Sequence, residues 1–409
     1  MRLTVAWHNL LSRPVQTGLT VLVTAVAVAL MITVSLFANG LHNGLIRATE
    51  PFDLIVGAKG SPNQLVLNTV FLQDSPIANI DYAHYEQLAA NPLVAAAIPL
   101  AFGDNYQGYR IVGASQEIFR HKSRSGQPDW LQLADGQYFQ HEFEAVVGAK
   151  AARELQLRVG DEFTSVHGLI PGGETHARPY RVVGVLQPVH GPYDQAIIVD
   201  INSIWEAHAG HDHSEAAGDD HDQDTLARHA HPPRAVTAVL VKPNGYSEAM
   251  RLYQQFQHEP AAQMIFPAQV IVKLFAVLGQ GQTALALISY AITGMGLIIM
   301  ALSLYWSALS RERERAILRA LGAGCRDIAA IIVIEAFMLA ASGAVLGAIA
   351  GHSLYWLLAA AMTGKTAITL ATGFIASEAY ILLISIVLGV SAGMIPAAMT
   401  YRSDIGRQL

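Results

Sequence analysis

Four long apolar runs are the feature that most constrains what this chain can fold into. No Asp, Glu, Lys or Arg occurs between residues 14 and 46, and comparable runs lie within 274–310 and 379–401. Another run, from about 328 to 358, is interrupted only by Glu335. A helix rises about 1.5 Å per residue, so about 20 apolar residues cross the hydrocarbon core of a bilayer. We therefore predict four transmembrane helices, at residues 15–42, 280–310, 328–358 and 379–401.

The composition agrees with a membrane protein and argues against a soluble enzyme. Charged residues make up 14% of the chain, hydrophobic residues 52%, and the mean hydropathy is +0.33. The first apolar run is longer than the 7–15 residues typical of a signal-peptide core, so we expect it to be retained as a span.

Arginine placement predicts the orientation of the spans. Residues 1–13, 311–327 and 402–409 together carry nine Arg and four acidic residues. Short basic segments stay in the cytoplasm, so both chain ends and the loop after the second span are expected there. The segment 43–273, which we call the outer domain, is then expected on the opposite side. Its net charge of about −10 does not conflict, because long domains translocate regardless of charge.

The outer domain is predicted to be an α+β domain. Short β-branched runs separated by turn residues predict strands at 54–56, 144–147, 180–186, 196–199 and 238–241. Helical patterns occur between them, at 82–90, 150–157 and 247–257. The only cysteine of the chain is Cys325, so this domain is expected to fold without a disulfide.

A His-rich insertion at 207–233 interrupts the outer domain. It contains few large apolar residues, so we predict a mobile insertion. Imidazole and carboxylate groups suit Zn²⁺, and weak transition-metal binding is one interpretation; a solvated spacer with a pH-dependent charge is the other. The candidate metal ligands are His208, His211, His213, His221, His229 and His231.

The loop at 311–326 is predicted to form a short cytoplasmic helix. Helix-favouring residues fill it, and Gly322 and Gly324 are stop signals. Its alternating charges are typical of a solvated face, but they also suit docking to another protein, because Arg forms multidentate interface ion pairs. The candidate docking residues are Arg311, Glu312, Arg313, Glu314, Arg315, Arg319 and Leu321.

Other features concern the membrane segments. Residues 1–14 place apolar side chains on one face and predict an interfacial helix that Pro14 ends. Gly343, Gly347 and Gly351 recur every four residues and predict close helix packing, within one chain or across a dimer. Glu335 is predicted to cap or pair with an arginine near the inner surface, or to relay protons or metal. Residues 359–366 fit a relaxed phosphate-loop pattern, but a membrane helix precedes them, so no ATP site is expected.

Several segments together resemble one family. They are 6–17 (Ala-Trp-His-Asn-Leu-Leu-Ser-Arg-Pro-Val-Gln-Thr), 145–161 ending in Leu-Arg-Val-Gly-Asp, 180–186, 313–323, Glu335 followed by Gly343-x-x-x-Gly347, and Pro-Ala-Ala at 396–398. In order and spacing the chain resembles the permease subunits of the MacB/LolC/LolE/FtsX group of ABC transporters, also called type VII. The insertion at 208–231 is a departure, because typical members lack it.

The resemblance implies a four-helix, one-plus-three permease of the bacterial inner membrane with a large α+β periplasmic domain between the first two spans. It implies a homodimer or heterodimer, and we expect a second copy of the same permease. A cytoplasmic ABC ATPase dimer is expected to bind ATP and Mg²⁺, so this chain is expected to be no enzyme and to hold no cofactor beyond weak Zn²⁺ at the insertion. Membrane lipid and a periplasmic metal-binding or substrate protein are expected partners; nucleic acid is not.

The expected function is to transmit ATP-driven motion to the periplasmic domain, with a link to zinc or transition-metal handling. Two alternatives stay open. The permease could instead activate or scaffold a periplasmic enzyme without transporting anything, or it could extract lipoproteins from the membrane.

Overall fold

The computed structural model describes residues 2–124, 126–168, 173, 175–209, 234–309, 323–365 and 373–399. The described residues fall into two compact units. The first, which we call the membrane unit, takes in the described residues of 1–42, 277–362 and 370–409. The second takes in the described residues of 43–276 and of 363–369, and its larger part corresponds to the outer domain.

The described part of the chain contains ten α-helices. They are α1 (Arg2–Leu11), α2 (Pro14–Thr49), α3 (Pro62–Thr69), α4 (Ala83–Ala89), α5 (Ala149–Glu154), α6 (Ile201–Ala209), α7 (Tyr246–Phe256), α8 (Pro267–Leu309), α9 (Cys325–Lys365) and α10 (Ala376–Met399). Short 3-10 turns occur at Gln116–Arg120 and Pro192–Gln195.

Thirteen strands are described, all in the outer domain. They are β1 (Leu54–Ala58), β2 (Ile80–Asp81), β3 (Val94–Tyr106), β4 (Tyr109–Ala114), β5 (Leu133–Gly136), β6 (Glu144–Val147), β7 (Glu162–Phe163), β8 (Val166–His167), β9 (Tyr180–Leu186), β10 (Ile197–Asp200), β11 (Ala235–Val236), β12 (Ala238–Pro243) and β13 (Ala262–Ile265).

Three helices in the described part of the chain are long and apolar enough to cross a membrane. They cover Pro14–Thr49, Cys325–Met362 and Ala376–Ile395. The remaining predicted span, at 280–310, lies largely in α8, which forms a helix of 43 residues. Many side chains of α8 are outside the described part of the structure, so the presence of four membrane spans stays a prediction.

The N-terminal helix ends as the sequence predicts. α1 stops at Leu11, and α2 begins at Pro14, whose missing N–H is no loss in the first turn of a helix. Ala6 is fully buried, whereas Leu3, Trp7 and Leu11 are 54–65% exposed. The apolar face of α1 therefore packs along one edge within the membrane unit and leaves its other edge uncovered.

One large mixed sheet organises the outer domain. Its strand order is β13-β1-β12-β3-β4-β10-β6-β9-β5, with β7 paired to β9 and β8 paired to β3; β11 and β2 form a separate pair. Most pairs are antiparallel, but β10 runs parallel to β4, and β6 runs parallel to β9. The strand β1 lies between β12 and β13 and is buried at every residue, which matches its uninterrupted apolar sequence.

The predicted α+β character of the outer domain is confirmed. Strands β6 and β9 have the predicted bounds, and β1, β10 and β12 overlap their predictions. The helices α4, α5 and α7 lie within a few residues of the predicted 82–90, 150–157 and 247–257.

The predicted start of the His-rich insertion is wrong by three residues. Residues 207–209 form the last turn of α6 rather than a mobile segment. The physical reason is the packing of this helix on the sheet, where Ile204 is 5% exposed and the Trp205 Nε1–H donates to Ala235 O at 2.8 Å. The rest of the predicted insertion, 210–233, lies outside the described residues.

Candidate metal centre

An irregularity in β3 places one buried carboxylate beside side chains from other segments. The pairing of β3 with β4 shifts register between Phe102 and Asn105, and beyond the shift β3 also pairs with β8. Asp104 lies opposite His167 in that second pairing and is 0% exposed. An irregular ladder bends a strand and re-aims its side chains, which here places a carboxylate beside a histidine.

A tight turn holds β8 against β3. Gly168 has φ +88°, a left-handed conformation that favours glycine, and its N–H donates to Gly103 O at 2.7 Å. The Asn105 side-chain amide donates to Gly168 O at 2.8 Å. The His176 N–H donates to Ser165 O at 3.0 Å, so His176 returns beside β8 and is 3% exposed. These contacts place His167 and His176 beside Asp104.

The last turn of α6 supplies a third histidine. The helix packs closely on β4 at Gly113, where an added Cβ would lie 2.7 Å from Ile204 Cγ1. His208 lies one turn further on, and its Nδ1 is 2.6 Å from Ile204 O. A carbonyl oxygen only accepts, so Nδ1 carries a proton. A proton on Nε2 lets that atom donate to Asp104 Oδ1, and a metal ion bound at Nε2 would take the place of that proton.

The three histidine side chains converge on Asp104 Oδ1. His176 Nε2 and His208 Nε2 each lie 3.2 Å from it, and His167 Nδ1 lies 3.6 Å away. His167 Nδ1 and His208 Nε2 are 3.0 Å apart. One ligand atom from each residue fits within 4.8 Å of all the others. We call this group of four the His–Asp cluster.

The cluster is electrostatically poised to hold a cation. Burial raises the pKa of Asp104, but the hydrogen bonds from His176 and His208 outweigh it and lower this pKa to about 2. Asp104 is therefore ionised at neutral pH. Its Oδ2 atom is buried and has no hydrogen-bond partner among the described residues. A buried carboxylate with an unsatisfied oxygen is costly, and a bound cation would compensate that cost.

The donor set and its spacing fit a transition metal. At a Zn–N distance of about 2.0–2.1 Å, tetrahedral ligand atoms lie about 3.3 Å from one another. Four of the six separations in the cluster, at 3.0, 3.2, 3.2 and 3.6 Å, are close to that spacing, and all six are within 4.8 Å. Three imidazoles and one carboxylate suit Zn²⁺, whereas Ca²⁺ and Mg²⁺ need six or more oxygen ligands.

Of the predicted metal ligands, His208 lies in this cluster, and the others lie outside the described residues: His211, His213, His221, His229 and His231. Sequence reasoning missed Asp104, His167 and His176, because their proximity depends on strand pairing between distant segments.

The predicted docking residues all lie outside the described part of the chain: Arg311, Glu312, Arg313, Glu314, Arg315, Arg319 and Leu321. Residues 325 and 326, predicted to end the docking helix, instead open α9. The phosphate-loop-like stretch is helical through Lys365, and that helix continues from Cys325, so no strand precedes it.

The predicted glycine stripe packs against α2 of the same chain. An added Cβ on Gly347 would lie 2.7 Å from Ala25 O, and one on Gly351 would lie 3.0 Å from Ala29 O. The Thr33 hydroxyl donates to Gly351 O at 3.2 Å, a close approach that only glycine permits.

Two polar contacts tie α1 to the start of α9. The Asn9 amide donates to Glu335 Oε1 at 2.6 Å, and the Arg2 guanidinium pairs with Asp327 at 2.5 Å. Glu335 is 5% exposed. Asn9 is thus one hydrogen-bond partner of Glu335, and the predicted pairing of Glu335 with an arginine stays a prediction.

Comparison with known families defines the class of protein. A model of the MacB-like periplasmic core domain matches residues 17–249, and a model of the FtsX-like permease C-terminal region matches residues 286–405. Together with the apolar helices, these matches define a membrane permease with a periplasmic α+β domain. The first match alone spans more than half of the chain, and the chain belongs to the MacB/FtsX family of ABC permeases.

Solved structures resemble the outer domain only weakly. The periplasmic region of MacB from Actinobacillus actinomycetemcomitans has 9% identity and a TM-score of 0.34, covering 55% of this chain and 95% of that one. The extracellular domain of the noncanonic ABC-type transporter YknZ from Gram-positive bacteria has 14% identity and a TM-score of 0.29, covering 52% and 98%. No curated protein matches the chain significantly. In this family the permease is the transmembrane subunit, and a cytoplasmic ABC ATPase is its partner.

Proposed function

We propose that this permease transmits ATP-driven motion from a cytoplasmic ATPase dimer to its periplasmic domain, and that it serves a system that handles or senses zinc or a related transition metal. It works as a dimer with a second copy of itself, with both chain ends in the cytoplasm. The transmission part is carried by one observation: the same chain matches a periplasmic core domain and an FtsX-like permease region.

The construction of α9 supports the transmission role. This helix of 41 residues begins at Cys325, at the end of the predicted docking segment 311–326. Its glycines bring it into close contact with α2, and α1 contacts its first turns through Asn9 and Arg2. A packed helix moves as a rigid body, so a displacement at Cys325 would be carried along the whole element.

The docking residues provide the test of transmission. The full-length permease should co-purify with its ATPase, and Arg315→Glu with Arg319→Glu should abolish co-purification or reduce permease-dependent ATP turnover at least tenfold. The matched control is Arg402→Glu with Arg407→Glu, which reverses the same charge in the predicted cytoplasmic tail. Undiminished turnover in the first pair would contradict the docking assignment.

The His–Asp cluster supports the link to metal. Three imidazoles and a buried carboxylate around one point are a donor set that periplasmic transition metals bind. Growth under zinc limitation and zinc excess, compared between the wild type and a deletion of the permease, checks the physiological link. Identical growth of the two strains under both conditions would contradict the link to zinc.

Two other functions make different predictions. A non-transporting activator would hold a periplasmic enzyme on its outer domain, and crosslinking in cells would capture that enzyme while no substrate moves. A lipoprotein extractor would release lipoproteins from membrane vesicles when ATP is added. Either result, without any response to zinc, would favour that alternative over the metal-linked permease.

A further inference from the structure

We infer that the His–Asp cluster is a closed, four-ligand Zn²⁺ site whose ion fastens the C-terminal end of α6 to β3 and to the turn after β8. This inference rests on the proposed link to transition-metal handling and assigns that link to four particular side chains. The ligands are Asp104 Oδ1, His167 Nδ1, His176 Nε2 and His208 Nε2.

A complete ligand set gives the ion a binding role rather than a catalytic one. Catalytic zinc keeps three protein ligands and an open position for water, whereas four protein ligands close a tetrahedral sphere. All four ligand atoms of the cluster lie within 4.8 Å of one another, and four of their six separations are 3.0–3.6 Å, near the spacing in a tetrahedral zinc site. The ion is therefore held for recognition or regulation and does not activate a water molecule.

The four ligands differ in burial: two are in the core and two are partly exposed. Asp104 is 0% exposed and His176 is 3% exposed, whereas the His208 and His167 side chains are 30% and 56% exposed. The carboxylate and one imidazole are fixed in the core, while the other two imidazoles face solvent. An ion can thus enter from the His167 side without unfolding the sheet.

The ion would join segments from separate parts of the outer domain, in addition to the ion pair of Arg178 with Glu206 on α6. Asp104 belongs to β3, His167 lies in β8, His176 is held beside Ser165, and His208 lies in the last turn of α6. The beginning of α6 is already held, because Ile201 is 4% exposed and Ile204 is 5% exposed. The side chain of Glu206 and the end of the helix are more open to solvent.

A cross-link at His208 acts on the last turn of α6, one turn beyond the buried Ile204. A metal that binds the folded state and closes a chain loop stabilises the elements that it joins. We expect zinc to reduce local opening of α6 and of the turn after β8, and to leave the far edge of the sheet at β13 unchanged. The C-terminal end of α6 would be more rigid when zinc is bound, so its rigidity would follow the periplasmic metal concentration.

The experiment uses the full-length permease in detergent. Zinc titration should give one tight site per chain, and Co²⁺ in its place should show the intense visible absorption of four-coordinate tetrahedral cobalt. When zinc is added, hydrogen exchange should slow in peptides covering 201–209 and 163–168. It should stay the same in peptides covering 246–265.

Two ligand variants and two controls separate the outcomes. Asp104→Asn and His208→Gln should each weaken zinc binding by more than the roughly 10–100-fold that loss of an outer-sphere partner costs. His208 is half-buried, so its variant keeps the fold even if the buried Asp104 variant does not. His258→Gln, an exposed histidine before β13, and a variant lacking residues 210–233 should both keep the tight site.

Each contrary result overturns a defined part of the inference. Tight zinc binding that survives His208→Gln and Asp104→Asn, or that is lost without residues 210–233, places the ion elsewhere. Binding at the cluster with unchanged exchange in 201–209 refutes the fastening of α6. None of these readouts uses the ATPase, so loss of coupling in the arginine reversals would affect the proposed function without affecting this site.

Discussion

The contact between Gly343 and Thr24 gives a direct test of how α9 packs on α2. A Cβ added at Gly343 would lie 2.6 Å from Thr24 Cβ and 2.7 Å from Thr24 Cγ2. Carbon atoms in contact prefer about 3.5–4.0 Å, so the Gly343→Ala variant must push the two helices apart. Forcing an extra methyl group into packed structure costs about 1–3 kcal/mol.

A glycine on α2 supplies the matched control. Gly18 has no atom within 4 Å of an added Cβ, so Gly18→Ala meets open space. Both substitutions gain the same helix propensity, about 1 kcal/mol in favour of alanine. The difference between the two variants therefore isolates the steric cost, and Gly343→Ala should be less stable than Gly18→Ala by about 1–3 kcal/mol.

A double-mutant cycle checks that the Thr24 side chain causes the steric cost of Gly343→Ala. Thr24→Gly removes both close carbons and leaves Val21 O at 3.4 Å, an ordinary contact. In that background Gly343→Ala should cost no more than Gly18→Ala, which gives a coupling energy of about 1–3 kcal/mol. The assay is reversible unfolding in SDS, followed by tryptophan fluorescence. Additive effects, or equal stability of Gly343→Ala and Gly18→Ala, would refute this packing.

Two further predictions concern buried polar groups. Burial lowers the pKa of His121 below its usual 6.5, against the hydrogen bond to Pro51 O that raises it, so the neutral ring is favoured in the fold. The stabilising contribution of His121 is then complete above pH 6.5 and is lost as the pH falls below it. The melting temperature with zinc removed should drop from pH 7.5 to 5.5, and drop less in His121→Gln; equal drops would count against the assignment. Asn9→Leu removes the donor to buried Glu335 and should lower the free energy of unfolding in SDS by about 1–3 kcal/mol. The exposed His8→Leu on the same helix should change it by less than about 0.5 kcal/mol, and equal losses would show that the contact to Glu335 contributes nothing.

Local sequence pattern predicts those strands whose residues are apolar and bounded by turns. β6 and β9 have the predicted bounds because β-branched residues fill them and Gly or Pro punctuates their ends. The pattern failed for β3, which contains Pro99, Gly103 and Asp104. Each of these residues is typical of loops, yet tertiary pairing with β12 and β4 holds the segment as a strand.

The candidate site could be predicted only in part for the same reason. His208 stands beside a histidine-rich stretch, and composition is enough to single it out. Asp104, His167 and His176 lie in unremarkable sequence, and no local spacing relates them. They meet because β8 pairs with β3 in a register that puts Asp104 opposite His167. A register between distant strands depends on the whole sheet, so it cannot be read from either segment alone.

The central claim is that the start of α9 faces the cytoplasm while the outer domain lies on the other side of the membrane. Cys325 is the only cysteine of the chain and the first residue of α9, so a membrane-impermeant maleimide reports its side directly. The account predicts labelling of Cys325 in inverted inner-membrane vesicles and none in intact cells with a permeabilised outer membrane. A variant with Cys325→Ser and His258→Cys should show the reverse. Labelling of Cys325 from outside intact cells would contradict the account.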